Sequence, residues 1–108
     1  MRDTSNITDM GSLFYECNKL SNITFYNLNT SKVTDMSSMF EDCHYLTQNI
    51  TIPDISNVSD ISYMFSGCAT SNITLMGDPS KIRNSSYAFY ELSYKLDEDG
   101  YRIYDENN

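Results

Sequence analysis

Basic residues are scarce in this chain. Its 108 residues hold 7 Lys and Arg against 15 Asp and Glu, a formal charge of −8 at pH 7. That balance excludes a nucleic-acid backbone as partner, because phosphate binding is driven by Lys and Arg. Histidine is scarcer still: His44 is alone and has no partner at metal-ligand spacing. The three cysteines, Cys17, Cys43 and Cys68, contain no C-x-x-C pair. Nor does the chain hold a Ser/His/Asp set, paired carboxylates on a recognisable scaffold or a phosphate-binding glycine loop, so no enzyme activity and no cofactor are expected. No apolar run is long enough to span a membrane. No signal peptide is visible, since residues 1–15, MRDTSNITDMGSLFY, enter patterned sequence almost at once. Glycine and proline are few, at 4 and 2, while 40% of residues are hydrophobic. That composition argues for a folded chain of one domain rather than a disordered one.

What the chain does have is repetition. TSKVTDMSSMFEDC at Thr30–Cys43 is preceded by TSNITDMGSLFYEC at Thr4–Cys17 and followed by ISNVSDISYMFSGC at Ile55–Cys68. A worn copy, SKIRNSSYAFYEL, lies at Ser80–Leu92. Phe14, Phe40, Phe65 and Phe89 mark the period, with steps of 26, 25 and 24 residues. The columns Ile7/Val33/Val58/Ile82 and Cys17/Cys43/Cys68/Leu92 keep the same steps. A fixed period in this range is the mark of units that cannot bury an apolar face alone and must stack.

Within Met36–Cys43 the apolar residues are Met36, Met39, Phe40 and Cys43. Offsets of i, i+3, i+4 and i+7 predict a short helix with one buried side. Thr34 and Asp35 precede it as N-cap types. The later pieces Asn22–Phe25, Asn49–Ile52 and Asn72–Leu75 share an Asn-Ile-Thr-apolar pattern. Alternation over a β-branched residue predicts a short strand with one face buried. The expected fold class is therefore an α/β solenoid: a short right-handed coil of leucine-rich-repeat type. It would have about four repeats of 24–26 residues, parallel strands on one side and short helices on the other.

The string Thr-Ser-Asn-Ile-Thr-Asp-Met at residues 4–10, then Leu13-Phe14, Cys17 and Leu20, resembles the BspA-like leucine-rich repeat of bacterial and protist surface proteins. The middle copies match at Thr30–Phe40 and Ser56–Cys68, and the last departs where Asn84-Ser85 replaces Asp-Met and Leu92 replaces Cys. The resemblance implies a module of cell-surface or secreted proteins, linked to adhesion or host contact. Its pattern holds no catalytic residues.

Residues 1–93 are expected to form the repeat domain, and residues 94–108 an acidic C-terminal cap or hairpin. In that tail Tyr94–Leu96 and Tyr101–Tyr104 read as strands about an Asp97–Gly100 turn. From Glu91 onward, six acidic and two basic residues give a net charge of −4, half the total.

Each candidate site has a bland reading beside the functional one. The Cys17/Cys43/Cys68 column lies on the apolar side, where buried cysteine behaves as a small hydrophobe rather than a redox ladder or metal site. The column Asp9/Asp35/Asp60/Asn84 could offer a calcium ladder, but capping accounts for it with less, so no metal site is assigned. Seven Asn-x-Ser/Thr sequons, at Asn6, Asn22, Asn29, Asn49, Asn57, Asn72 and Asn84, are glycan acceptors in a secreted eukaryotic protein. The repeat itself also writes Asn-Ile-Thr. The outward strand positions Asn22, Thr24, Tyr26, Asn49, Thr51, Asn72, Thr74 and Met76 form the candidate binding face. The plainer reading is a row of residues that solvate a sheet. A second outward row, Tyr15, Glu41, Ser66 and Tyr90, is expected beside the phenylalanines.

The sequence admits three functions. The first is a non-enzymatic surface or secreted module for adhesion or protein–protein recognition, whose partner is a protein or a host surface. The second is a self-assembling structural protein, a homo-oligomer through its coil ends. The third is a small acidic inhibitor that occupies a basic groove. The expected location is extracellular or at the cell surface, this chain then being a fragment or mature form; a complete chain without a signal peptide would be cytoplasmic.

Overall fold

The computed structural model describes residues 4–17, 19–25 and 28–103. Its regular elements are four short strands and one 3-10 turn. Strands β1 (Ile50–Ile52) and β2 (Ile73–Leu75) pair in parallel, with Thr51 opposite Thr74. Strands β3 (Lys95–Leu96) and β4 (Arg102–Ile103) pair antiparallel. The 3-10 turn is Pro79–Lys81. Among the described residues there is no α-helix, and the strands fall in two separate two-stranded sheets. The expected α/β solenoid, with a helix in every repeat and one sheet of stacked strands, is therefore not what the chain forms.

The reason lies in Met36–Cys43. Three overlapping turns replace the helix: Met39 N–H donates to Met36 O, Glu41 to Ser38 O and Cys43 to Phe40 O, at 3.3–3.4 Å. Ser38 and Asp42 have φ of 55° and 60°. A right-handed helix admits no such residue, whereas a type II turn requires one at its third position. The alternate N–H groups point out of the turn. Those of Met36, Ser38, Phe40 and Asp42 donate to the carbonyls of Asp60, Ser62, Met64 and Ser66 in the next repeat, at 2.8–2.9 Å. Ser37 N–H is taken by the Asp35 carboxylate at 2.8 Å. Every backbone donor from Met36 to Cys43 is thus satisfied without a helical ladder.

The same turns recur in each repeat. Ser12, Ser38, Tyr63 and Tyr87 have φ of 55–57°, and Glu16, Asp42, Gly67 and Glu91 have φ of 51–69°. Only one of these eight is glycine, so the cost of the left-handed region is borne at seven side-chain-bearing positions. At Gly67 an added Cβ would lie 2.6 Å from Asp42 Oδ1.

The apolar columns meet as expected even though the helix does not form. Val33, Met36, Met39, Phe40, Cys43, Val58, Met64, Phe65 and Cys68 are all fully buried. Phe14, Phe40, Phe65 and Phe89 stack in sequence, with ring centroids 5.4, 5.2 and 5.9 Å apart. Residues of the Asp9/Asp35/Asp60/Asn84 column are joined by parallel bridges, Asp9 to Asp35, Asp35 to Asp60 and Asp60 to Asn84.

Among the described residues, strand pairing between repeats is confined to two copies. Ile50 and Ile52 are buried while Thr51 is exposed, as alternation requires. The Asn22–Phe25 copy is not a strand. Its Ile23 backbone is bridged by one side chain: Gln48 Oε1 accepts from Ile23 N–H at 2.7 Å, and Gln48 Nε2 donates to Ile23 O at 2.9 Å. A primary amide offers one peptide's worth of donor and acceptor, and Gln48 sits in the longer Cys43–Asn49 connection. Buried Thr30 links neighbours in a similar way, its hydroxyl donating to Asp54 O at 2.6 Å and accepting from Asp54 N–H at 3.0 Å.

Candidate binding faces

The outward row is built by β1, β2 and the segments aligned with them. Asn22, Thr24, Asn49, Thr51, Asn72, Thr74 and Met76 are all exposed. Tyr26 lies outside the described residues. Thr51 and Thr74 are register partners on adjacent strands, so their side chains stand next to each other on one face. Met76, 51% exposed, follows β2. The row is continuous over β1 and β2. Toward Asn22 and Thr24 it proceeds without strand pairing, through the Gln48 bridge.

The second row does not assemble as expected. Tyr15 and Tyr90 are exposed, but Ser66 is buried. The exposed aromatic cluster is a different one. Tyr63 and Tyr87 stack at 5.2 Å, and Tyr90 meets Tyr87 edge-on at 5.6 Å. Tyr63 and Tyr87 occupy the left-handed turn positions held by Ser12 and Ser38 in the first two repeats. Alignment of the repeats shows that column, but a helical reading gives it no meaning.

Beside this cluster Asp42, His44, Ser66, Gly67, Tyr90, Glu91 and Tyr94 line an open cleft of about 220 Å³. His44 Nδ1 lies 2.9 Å from Gly67 O. A carbonyl only accepts, so Nδ1 carries the proton. Tyr94 packs on the imidazole at 4.5 Å, the Arg102 guanidinium lies 4.3 Å from the Tyr94 ring centre, and Arg102 pairs with Glu91. The antiparallel hairpin of β3 and β4 is anchored here, where Tyr94 N–H also donates to Cys68 O at 3.0 Å. Tyr104 lies outside the described residues.

All three cysteines are free thiols. Burial, with Cys68 and Cys17 nearby, pushes the Cys43 thiol up to about 12, and burial pushes Cys68 up to about 11. Both are poor nucleophiles at neutral pH. Cys43 Sγ donates to Phe14 O at 3.1 Å.

The acidic column caps turns rather than helices. Asp9, Asp35 and Asp60 each accept through Oδ1 from the N–H two residues on, at 2.8 Å, and Asn84 does so at 3.2 Å. A parallel column, Asn29, Asp54 and Asp78, caps the turns that begin the second, third and fourth repeats. The Ser56 side chain and N–H hold the Asp54 carboxyl below its ordinary range. Among the described residues, no three His, Cys, Asp or Glu side chains are placed to hold a metal ion, and no helix is long and apolar enough to cross a membrane.

The sequon asparagines differ in what their amides do. Asn6, Asn22, Asn29, Asn49, Asn72 and Asn84 are exposed, whereas Asn57 is half-buried. Asn57 Nδ2 donates to Ser31 O at 2.7 Å, a bond that a glycan on that nitrogen would disturb.

No curated protein and no solved structure matches this chain. One family model does, over residues 1–99. By that match the chain belongs to the DUF285 family, described as Mycoplasma protein of unknown function.

Proposed function

We propose that the chain is a non-enzymatic repeat module for adhesion or protein–protein recognition, working at a cell surface or outside the cell. The observation that carries this reading is the exposed row Asn49, Thr51, Asn72, Thr74 and Met76 on β1 and β2. These side chains are not needed in the core, which the alternate residues fill. A short two-stranded platform with polar side chains and one exposed methionine suits a protein surface better than a small molecule, which needs a concave apolar pocket. The resemblance of residues 4–20, Thr30–Phe40 and Ser56–Cys68 to BspA-like surface repeats supports the same reading.

The test is adhesion of chain-coated beads to a cultured epithelial monolayer. Wild-type beads should attach well above albumin-coated beads, and Thr51→Lys/Thr74→Lys should lower attachment at least fivefold with an unchanged circular dichroism spectrum. Attachment no better than albumin, or a double variant that adheres like wild type, would defeat the proposal.

A further inference from the structure

The repeats are joined by one directional rule. Along the turns, each repeat donates forward: Phe14 N–H to Met39 O, Phe40 N–H to Met64 O and Phe65 N–H to Ala88 O, at 2.8–2.9 Å. Just before the turns the direction reverses: Thr34 N–H donates back to Thr8 O, Ser59 to Thr34 O and Arg83 to Ser59 O, at 2.8–2.9 Å. The fourth repeat therefore turns the N–H groups of Ser85, Tyr87, Phe89 and Glu91 outward, with the carbonyl of Arg83. The first repeat turns out the complementary set: the carbonyls of Asp9, Gly11, Leu13 and Tyr15, with the N–H of Thr8. Among the described residues neither set has a backbone partner. A row of unpaired backbone groups is a template for another chain.

The side chains on the two edges are matched as well. Phe89 ends the phenylalanine stack and is 46% exposed, and Leu13 on the first repeat is 38% exposed. One column alternates Asn6, Lys32, Asn57 and Lys81, with Lys32 Nζ donating to Asn6 Oδ1 at 3.3 Å and Lys81 Nζ to Asn57 Oδ1 at 2.8 Å. An Asn6 placed beyond Lys81 continues that alternation. In the acidic column, Asn84 would meet Asp9, avoiding a third pair of like charges. Glu91 would meet Glu16, but Glu91 already holds Arg102.

We propose that the fourth-repeat edge binds the first-repeat edge of a second copy of this chain, head to tail, in the register that relates one repeat to the next. Such a contact is heterologous, so it propagates into rings or filaments rather than stopping at a symmetric pair. Because every copy carries a charge of −8, assembly strengthens as salt screens the repulsion.

Sedimentation velocity on the 108-residue chain, from micromolar to near-millimolar and at low and high salt, reads this directly. The wild type should grow from the 12.4 kDa monomer to larger species with concentration and with salt. Leu13→Glu blocks one edge and Phe89→Glu the other, and each variant alone should stay monomeric. Mixed in equal amounts, they retain one compatible pair of edges and should form a species of twice the monomer mass and no larger. If Phe89→Glu loses its folded circular dichroism spectrum, Ser85→Pro blocks the same edge by removing an outward N–H. A wild type that stays monomeric throughout overturns the proposal, as does either variant that still assembles alone. A mixture that remains monomeric overturns it too, because it shows that the contact does not join unlike edges.

Discussion

Phe40 and Phe65 stack with ring centroids 5.2 Å apart and ring planes 8° from parallel. They occupy equivalent positions in adjacent repeats, and both are fully buried. Their backbones keep the same relationship, since Phe40 N–H donates to Met64 O and Phe65 N–H to Ala88 O at 2.8 Å. Ring and backbone therefore hold one register between neighbours.

Phe40→Ala should lose roughly 3–5 kcal/mol of stability, the range for deleting a buried phenylalanine ring. Phe89→Ala should lose less than half as much, because Phe89 is already 46% exposed. Urea unfolding monitored by circular dichroism compares the two. Equal losses would mean that the stack does not bury its middle rings.

Ser38 has φ of 55°. Glycine occupies the left-handed region without the Cβ clash that costs other residues roughly 1–2 kcal/mol. Ser38→Gly should therefore raise stability, by about 1 kcal/mol once the extra backbone entropy is offset. A helix at Met36–Cys43 would respond with the opposite sign, since glycine inside a helix is disfavoured by about 1 kcal/mol relative to alanine. The sign of the shift in the urea midpoint distinguishes a run of turns from a helix.

Gln48 makes two hydrogen bonds to the Ile23 backbone. Gln48→Leu should cost about 1–3 kcal/mol, because both Ile23 groups lose their partner in a half-buried setting. Amide hydrogen exchange at Ile23 should accelerate while exchange at Phe40 stays slow. Unchanged protection at Ile23 would show that the bridge contributes nothing.

The buried thiols make stability fall at alkaline pH. In the fold, Cys43 ionises only near pH 12 and Cys68 near pH 11, whereas in the unfolded chain both ionise near pH 8.5. Above that value the unfolded state binds fewer protons, so the unfolding free energy decreases with pH. The slope is about 1.4 kcal/mol per pH unit for each thiol. The loss begins near pH 9 and ends near pH 11 for Cys68 and pH 12 for Cys43. Cys43→Ala should flatten the urea midpoint against pH over that window relative to wild type. In the native state at pH 8, iodoacetamide should modify Cys17, which is only half-buried, well before Cys43 and Cys68. Modification of all three at one rate would contradict the buried column.

Sequence alone determined the repeat and its columns. Phe14, Phe40, Phe65 and Phe89 stack, and Asp9, Asp35 and Asp60 cap the segments after them, because both features depend only on which residue types recur at which spacing. The exposure of Thr51 and Thr74 was also legible, from the alternation in Asn-Ile-Thr-apolar. Tertiary structure alone decided how the backbone threads those columns. The spacing i, i+3, i+4, i+7 brings Met36, Met39, Phe40 and Cys43 to one side in a helix, but it does the same in a chain of turns. What separates the two is where the intervening N–H groups go. Those of Met36, Ser38, Phe40 and Asp42 find acceptors only in another repeat, 24 residues away, and no local pattern records them. Those bonds hold residues such as Tyr63 and Asp42 at positive φ, a conformation that their side chains disfavour and that the neighbouring repeat stabilises.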